Sequence, residues 1–172
     1  FEAKTVFGYY HKKGKLAPVH EDMSMNHFNV LLDFIEKEGI EHYEISNFAR
    51  DGKYSKHNLG YWTGEKYLGF GPSAHSYNGI IRRWNIANNT RYIQALEKQE
   101  TKYYEEESIS QAMAYNEYLL TSLRTMWGVS EDYILENFGT DLHDYFQKSG
   151  RKFIDSKHIE PRDGHYILSR KG

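Results

Sequence analysis

No cysteine occurs in the 172 residues. That excludes disulfides and any thiolate-held metal or iron–sulfur cluster within this chain, and it reads as cytoplasmic. Long apolar runs are missing as well. Nothing approaches the roughly 18 consecutive residues that span a bilayer, and no secretory signal is readable. Charge of one sign is also scarce. Twenty-two Lys and Arg face 24 Asp and Glu, a net charge of −2, so nothing global draws the chain to nucleic acid or anionic lipid. His42 and His57 lie fifteen residues apart with no thiol to help, which does not suit structural zinc. No Ser-His-Asp order and no phosphate-binding loop emerges.

Aromatic residues are what the chain has in excess, with fifteen Tyr and nine Phe. Tyrosine suits half-buried surfaces, where the ring is dry and the hydroxyl finds a partner. The length allows one generous domain or two small ones. The chain opens at Phe1-Glu2-Ala3-Lys4 and stops at Arg170-Lys171-Gly172 after a strand-like run, so a piece of a longer protein is expected.

Gly14, Pro18 and flanking Lys residues predict a loop over 8–20. A helix follows, capped by Asp22 or Ser24, with Met25, Phe28, Leu31, Leu32 and Ile35 on one face and Gly39 at its end. Residues 41–48 alternate polar and apolar as one half-buried strand. Residues 49–66 form an irregular loop holding Asp51-Gly52 and Thr63-Gly64, and Tyr67–Gly71 is a second short strand. Both flanking loops would then lie at one edge of a single α/β sheet, where ligand sites of parallel sheets gather.

After about residue 100 the pattern changes. Ser108-x-x-Gln111 reads as a capping box for a helix carrying Ile109, Ala112, Met113, Leu119, Leu120, Leu123 and Met126. Ser130-Glu131-Asp132 opens a second helix closed by Gly139, with carboxylates at its positive end. A third runs from Asp141 to Lys148, and a hairpin turns at Asp163-Gly164. Helices followed by a hairpin resemble a winged-helix module. From residue 101 onward nine Lys or Arg face twelve Asp or Glu, which argues against a phosphate-lined groove as its partner.

The segment HNLGYW places His57, Asn58, Tyr61 and Trp62 together. Imidazole offers an axial ligand to haem iron while Tyr61 or Trp62 faces a planar macrocycle. Equally, the segment is a hydrogen-bonded loop anchor with two aromatics plugging the core. Gly69, Gly71, Ser73, Ala74 and His75 form a glycine-rich stretch that lets backbone approach a cofactor, or merely turns tightly. Arg82 and Arg83 beside Trp84 could grip carboxylates, but a solvated basic pair is the plainer reading. His11, His20, His27, His143, His158 and His165 show no partner pattern.

HYEISNFAR, HNLGYW and YLGFGPSAHS, in that order, resemble the radical S-adenosylmethionine family of oxygen-independent coproporphyrinogen III oxidase, and within it the haem-chaperone branch called HemW. TVFGYYHKKGKLAP and YNEYLLTSLRTMWGVS extend the likeness to most of the chain. The oxidases are similar to Arg-Asn-Phe-Gln-Gly-Tyr where this chain has residues 57–62, and to Ser-Ala-Ile-Ser where it has His75. Both departures favour haem handling over decarboxylation.

The resemblance implies the C-terminal part of an incomplete (β/α) barrel over 1–98, followed by a small α+β winged-helix-like domain over 99–172. It implies haem contact by His57, Asn58, Tyr61 and Trp62, with His57 on the iron, and cofactor contact by Gly69, Gly71, Ser73, Ala74 and His75. The parent would carry a [4Fe–4S] cluster on an N-terminal cysteine motif, followed by Gly-rich and acidic segments that hold S-adenosylmethionine, and these residues lack both. Haem delivery to haem-requiring acceptor proteins is the function implied. The alternative is oxidative decarboxylation of coproporphyrinogen III, a reaction this chain by itself is expected not to perform. Neither nucleic acid nor a membrane span is expected. A barrel divided midway exposes a strand edge and an apolar face, which predicts self-association.

Overall fold

Five helices begin on a side chain that caps them. Thr5, Ser55, Asn88, Ser110 and Ser130 each accept a hydrogen bond from the backbone N–H three residues on, satisfying a donor the helix cannot. The computed structural model describes residues 2–17 and 20–172. Pro18, which marked the expected loop, and Phe1, which marked the expected cut, lie outside them.

Helix α1 (Val6–Lys12) occupies part of the stretch expected to be a loop; the Thr5 cap outweighs the loop signals that follow it. Helix α2 (Glu21–Lys37) starts after His20 rather than at Asp22 or Ser24, and its two first-turn acids complement the helix dipole. Its expected apolar face is only partly covered. Ile35 is buried and Phe28 and Leu32 are half-buried, while Met25 and Leu31 are exposed.

The single strand expected over 41–48 is a hairpin, β1 (Glu41–Glu44) with β2 (Asn47–Ala49). The chain reverses because the Ser46 N–H and hydroxyl donate back to Glu44 Oε2 at 3.1 and 3.2 Å. His42 on β1 stacks on Phe48 and meets Phe28 edge-on, joining α2 to the hairpin.

Helix α3 (Lys56–Trp62) follows, then a second sheet of β3 (His75–Tyr77), β4 (Ile81–Asn85) and β5 (Tyr104–Ser108), with α4 (Asn89–Glu97) between its last two strands. Tyr67–Gly71 is not a strand; only Tyr67 bridges to Tyr77. Across β4 and β5, Arg82 faces Glu107, Arg83 faces Glu106 and Trp84 faces Glu105. Opposite charges directly across a pair favour this register. That pairing carries β5 through Ser108, so the next helix is capped by Ser110 and not by the expected Ser108 box. This sheet draws strands from both sides of the expected 98/99 division.

Helix α5 (Gln111–Leu123), strand β6 (Val129–Ser130), α6 (Glu131–Phe138), α7 (Thr140–Asp155), β7 (Ile159–Arg162) and β8 (His165–Leu168) complete the chain. Met126 lies beyond α5, and Leu120 on it is exposed. Helix α7 continues past the expected Lys148 because Phe146 and Ile154 keep it on the core. The sheet order β6-β8-β7 behind three helices is the winged-helix arrangement. Tyr115, Val129, Ile134, Phe146, Ile159 and Tyr166 form its dry core.

All strand pairs among the described residues are antiparallel, in three small sheets. Contrary to the expectation, HNLGYW and the Gly69–His75 segment therefore do not share the edge of one α/β sheet. The overall architecture is nonetheless mixed α/β with a winged-helix-like end. Among the described residues, no helix is long and apolar enough to cross a membrane.

Candidate functional site

HNLGYW was expected in a loop and is a capped helix. Ser55 Oγ accepts from Asn58 N at 3.4 Å, and at the far end Thr63 Oγ1 donates to the Leu59 carbonyl. Helical spacing then sorts the four candidates into two i, i+4 pairs. His57 and Tyr61 form one pair, their rings meeting edge to face with centres 5.0 Å apart. Both are exposed. Asn58 and Trp62 form the other, and both are half-buried.

The second pair is tied down. Asn58 Nδ2 donates to Asn47 Oδ1 at 3.0 Å, and Asn47 Nδ2 donates to Glu44. The Arg124 guanidinium lies 5.1 Å from the Trp62 ring centre. The indole N–H of Trp62 is buried without a partner. Burial alone would raise the Glu44 carboxyl, but donation from Asn47, the Ser46 N–H and Arg124 holds it below the usual carboxylate range.

The first pair is open. Among the described residues Tyr61 is the one aromatic ring that His57 meets, and the His57 ring makes no hydrogen bond, which leaves its nitrogens uncommitted. No group of three His, Asp or Glu that would hold a bare metal ion occurs among the described residues. A lone imidazole supplies one nitrogen donor, so a metal held there would have to bring its remaining ligands with it.

Tyr61 carries the aromatic series onward. Its ring meets Tyr67 at 4.9 Å, and Tyr67 meets Tyr77 at 6.1 Å. Beside Tyr67 and Tyr77 is a shallow recess of about 480 Å³ that Lys66, Leu68, Ser76 and Ile81 also line. No residue of α3 lines it.

The Gly69–His75 segment is held against β4, the residue after it, and α4. A Cβ at Gly69 would sit 2.1 Å from the His75 carbonyl oxygen, so glycine is required there by the chain's own backbone. Gly71 has φ +98; its N–H donates to Tyr92 and its carbonyl accepts from Asn85. The Ser73 N–H donates to the Ile86 carbonyl, the Ala74 carbonyl accepts from Asn85 N, and exposed His75 stacks on Trp84. Tyr67, two residues before this segment, is the residue that meets Tyr61 of α3.

Arg82 and Arg83 do grip carboxylates, but the chain's own, which corrects the solvated reading. Arg82 pairs with Glu107 at 3.2 Å and Glu117 at 2.6 Å. Arg83 pairs with Glu106 at 3.1 Å and lies 3.5 Å over the Tyr104 ring. Sequence reasoning missed Glu44 and Arg124 entirely. A lone Glu before Ser46-Asn47, three donors in reach of one carboxylate, was the available signal; Arg124 had none.

The fold defines the class first. The chain superposes on coproporphyrinogen III oxidase (HemN) from Escherichia coli, a radical SAM enzyme, with TM-score 0.67 at 15% identity, over 90% of this chain and 39% of that one. It is 31% identical over 171 residues to the haem chaperone HemW of Bacillus subtilis and 33% identical over 147 residues to that of Lactococcus lactis. Those alignments cover 99% and 86% of this chain but only 45% and 37% of the relatives, so the chain spans less than half their length. No family model matches. Over nearly its whole length the chain is similar to part of the HemW/HemN family of radical S-adenosylmethionine proteins.

Proposed function

We propose that this chain is the haem-handling part of a HemW-type chaperone, with His57 as the residue offered to the haem iron. The observation that carries the reading is the division of α3 into an anchored pair, Asn58 and Trp62, and an open pair, His57 and Tyr61. A helix held from behind, showing an unbonded imidazole backed by a phenol, suits a flat ligand whose metal needs one axial donor. Haem is cargo here, passed in the cytoplasm to haem-requiring proteins. The names of the relatives support that direction.

Gly69, Gly71, Ser73, Ala74 and His75 keep the role the resemblance gives them, contact with S-adenosylmethionine in the parent protein. The [4Fe–4S] cluster would sit on other residues of the parent, because this chain has no cysteine. Oxidative decarboxylation of coproporphyrinogen III is the second reading. It rests on the fold it shares with the oxidase, while His57, Tyr61, Trp62 and His75 stand against it.

Haemin titration followed in the Soret region tests the proposal. His57→Ala should shift the band and weaken binding while leaving thermal unfolding nearly unchanged, since the His57 side chain is exposed. An unchanged haem spectrum with a lowered melting temperature would reduce HNLGYW to a structural anchor.

A further inference from the structure

The contact between hairpin β1–β2 and the segment after α5 reaches further than the two elements it joins. Arg124 donates from Nε and Nη2 to Glu44 Oε1 at 2.9 and 2.6 Å. Backbone bonds from Ile45 N to the Arg124 carbonyl and from Met126 N to the Tyr43 carbonyl, both 3.1 Å, brace the pair. The Glu44 side chain has no exposure at all. Its other oxygen accepts from Ser46 and Asn47, and Asn47 in turn accepts from Asn58 of α3. The same guanidinium lies over Trp62. Both anchoring side chains of α3 therefore lead to one cation supplied by the winged-helix-like end.

Helix α3 has little other hold. Seven residues are too few for a helix to persist alone, and none of its residues is fully buried. We propose that Arg124 is a positioning residue for α3: by holding Glu44 it fixes Asn47, Asn58 and Trp62, and so sets how His57 and Tyr61 are presented. What those two side chains face rests on the haem reading above; the clamp does not. A guanidinium suits the task because its planar fork meets the carboxylate through two nitrogens while its flat face covers an indole. A lysine supplies the charge without either geometry.

Amide hydrogen exchange over residues 55–64 tests this directly. In Arg124→Met, α3 should exchange about tenfold faster, equivalent to about 1.4 kcal/mol of lost local protection. Helices α6 and α7 should keep theirs. Arg124→Lys should recover only part of the protection. Asn58→Ala, which leaves Glu44 and Arg124 paired, should loosen 55–64 and spare 41–49, and it decides the matter even if Arg124→Met disrupts the hairpin. The double variant Arg124→Met/Asn58→Ala should be scarcely looser than Arg124→Met, because both act through one chain of contacts. Wild-type exchange in Arg124→Met or Asn58→Ala, full rescue by lysine, or an α3 already unprotected in the wild type would overturn the proposal. Haemin affinity should fall in step with the loss of protection. A wild-type chain that shows the exchange pattern and binds no haemin would sink the haem reading and leave the clamp standing.

Discussion

The two ends of the molecule are stabilised differently. The winged-helix-like end owns a continuous dry core of six residues around Ile134 and Val129, both with no exposure. Among the described residues, the first hundred have no comparable core. Ile35, Tyr43, Ala49 and Ala95 are buried at scattered points, while Val6, Phe7, Met23, Val30, Phe34, Phe70 and Ile93 stand exposed. Order there depends on helix caps, charged cross-strand pairs and the attachment of β1–β2 to residues 124–126. A module with its own core can tolerate the loss of a polar contact; a framework held at a few polar points cannot. The candidate site lies in the second kind of region.

Core truncation should separate the ends most sharply. Phe146→Ala removes a buried ring from the winged-helix-like core and should cost about 3–5 kcal/mol in chemical denaturation. Because β1–β2 is fastened to residues after α5, fluorescence from the Tyr43, Tyr54 and Trp127 cluster should collapse in the same transition. Two separate transitions would mean that the first hundred residues hold together without that attachment.

Cap removal comes next in size. Ser55→Ala should cost about 0.5–2 kcal/mol, felt as faster exchange in α3, whereas Ser110→Ala should cost a similar amount spread over the cooperative core. Equal, purely local effects at both sites would erase the distinction.

The two regions should also fail at opposite ends of the pH scale. Glu44 is held below its ordinary 4.5, so its contribution is fully present above that value and is lost as pH falls through the folded value. His143 is raised above its ordinary 6.5, first by its hydrogen bond with Glu131 and then by Asp144. Its contribution is fully present below 6.5 and is lost as pH rises through the folded value. Acid should therefore loosen the β1–β2 attachment first, and mild alkali the α6–α7 pair. Melting curves across pH should show His143→Gln flattening only the alkaline side and Glu44→Gln only the acid side.

The smallest effect on stability should come from the exposed apolar face. Phe34→Ser should change stability by less than about 0.5 kcal/mol. It should still reduce self-association in light scattering, because contiguous exposed apolar surface recruits partners. A wild-type chain that stays monomeric at high concentration would refute the expected self-association.

Legibility followed the range of each interaction. The helices of the C-terminal end, the Gly139 stop and the last hairpin were readable because periodicity, caps and turn residues act over a few positions. The expected strand over 41–48 failed because its alternation could not show that Ser46 and Asn47 would fold back on Glu44. The Ser55 cap that makes HNLGYW a helix lies among turn signals that predict a loop, whereas His57, Asn58, Tyr61 and Trp62 stand out by residue type alone.

Composition and local pattern alone determined that no thiolate site exists in this chain, that residues after about 110 form a small helical module with a wing, and that 57–62 gathers His57, Asn58, Tyr61 and Trp62. Only the tertiary structure decided which of those side chains are anchors and which are open. That division depends on Arg124 reaching Glu44 across 80 positions of sequence. No propensity or spacing rule encodes such a pair, because burying the Glu44 charge costs free energy that is offset only by hydrogen bonds and an opposite charge that the folded chain brings near.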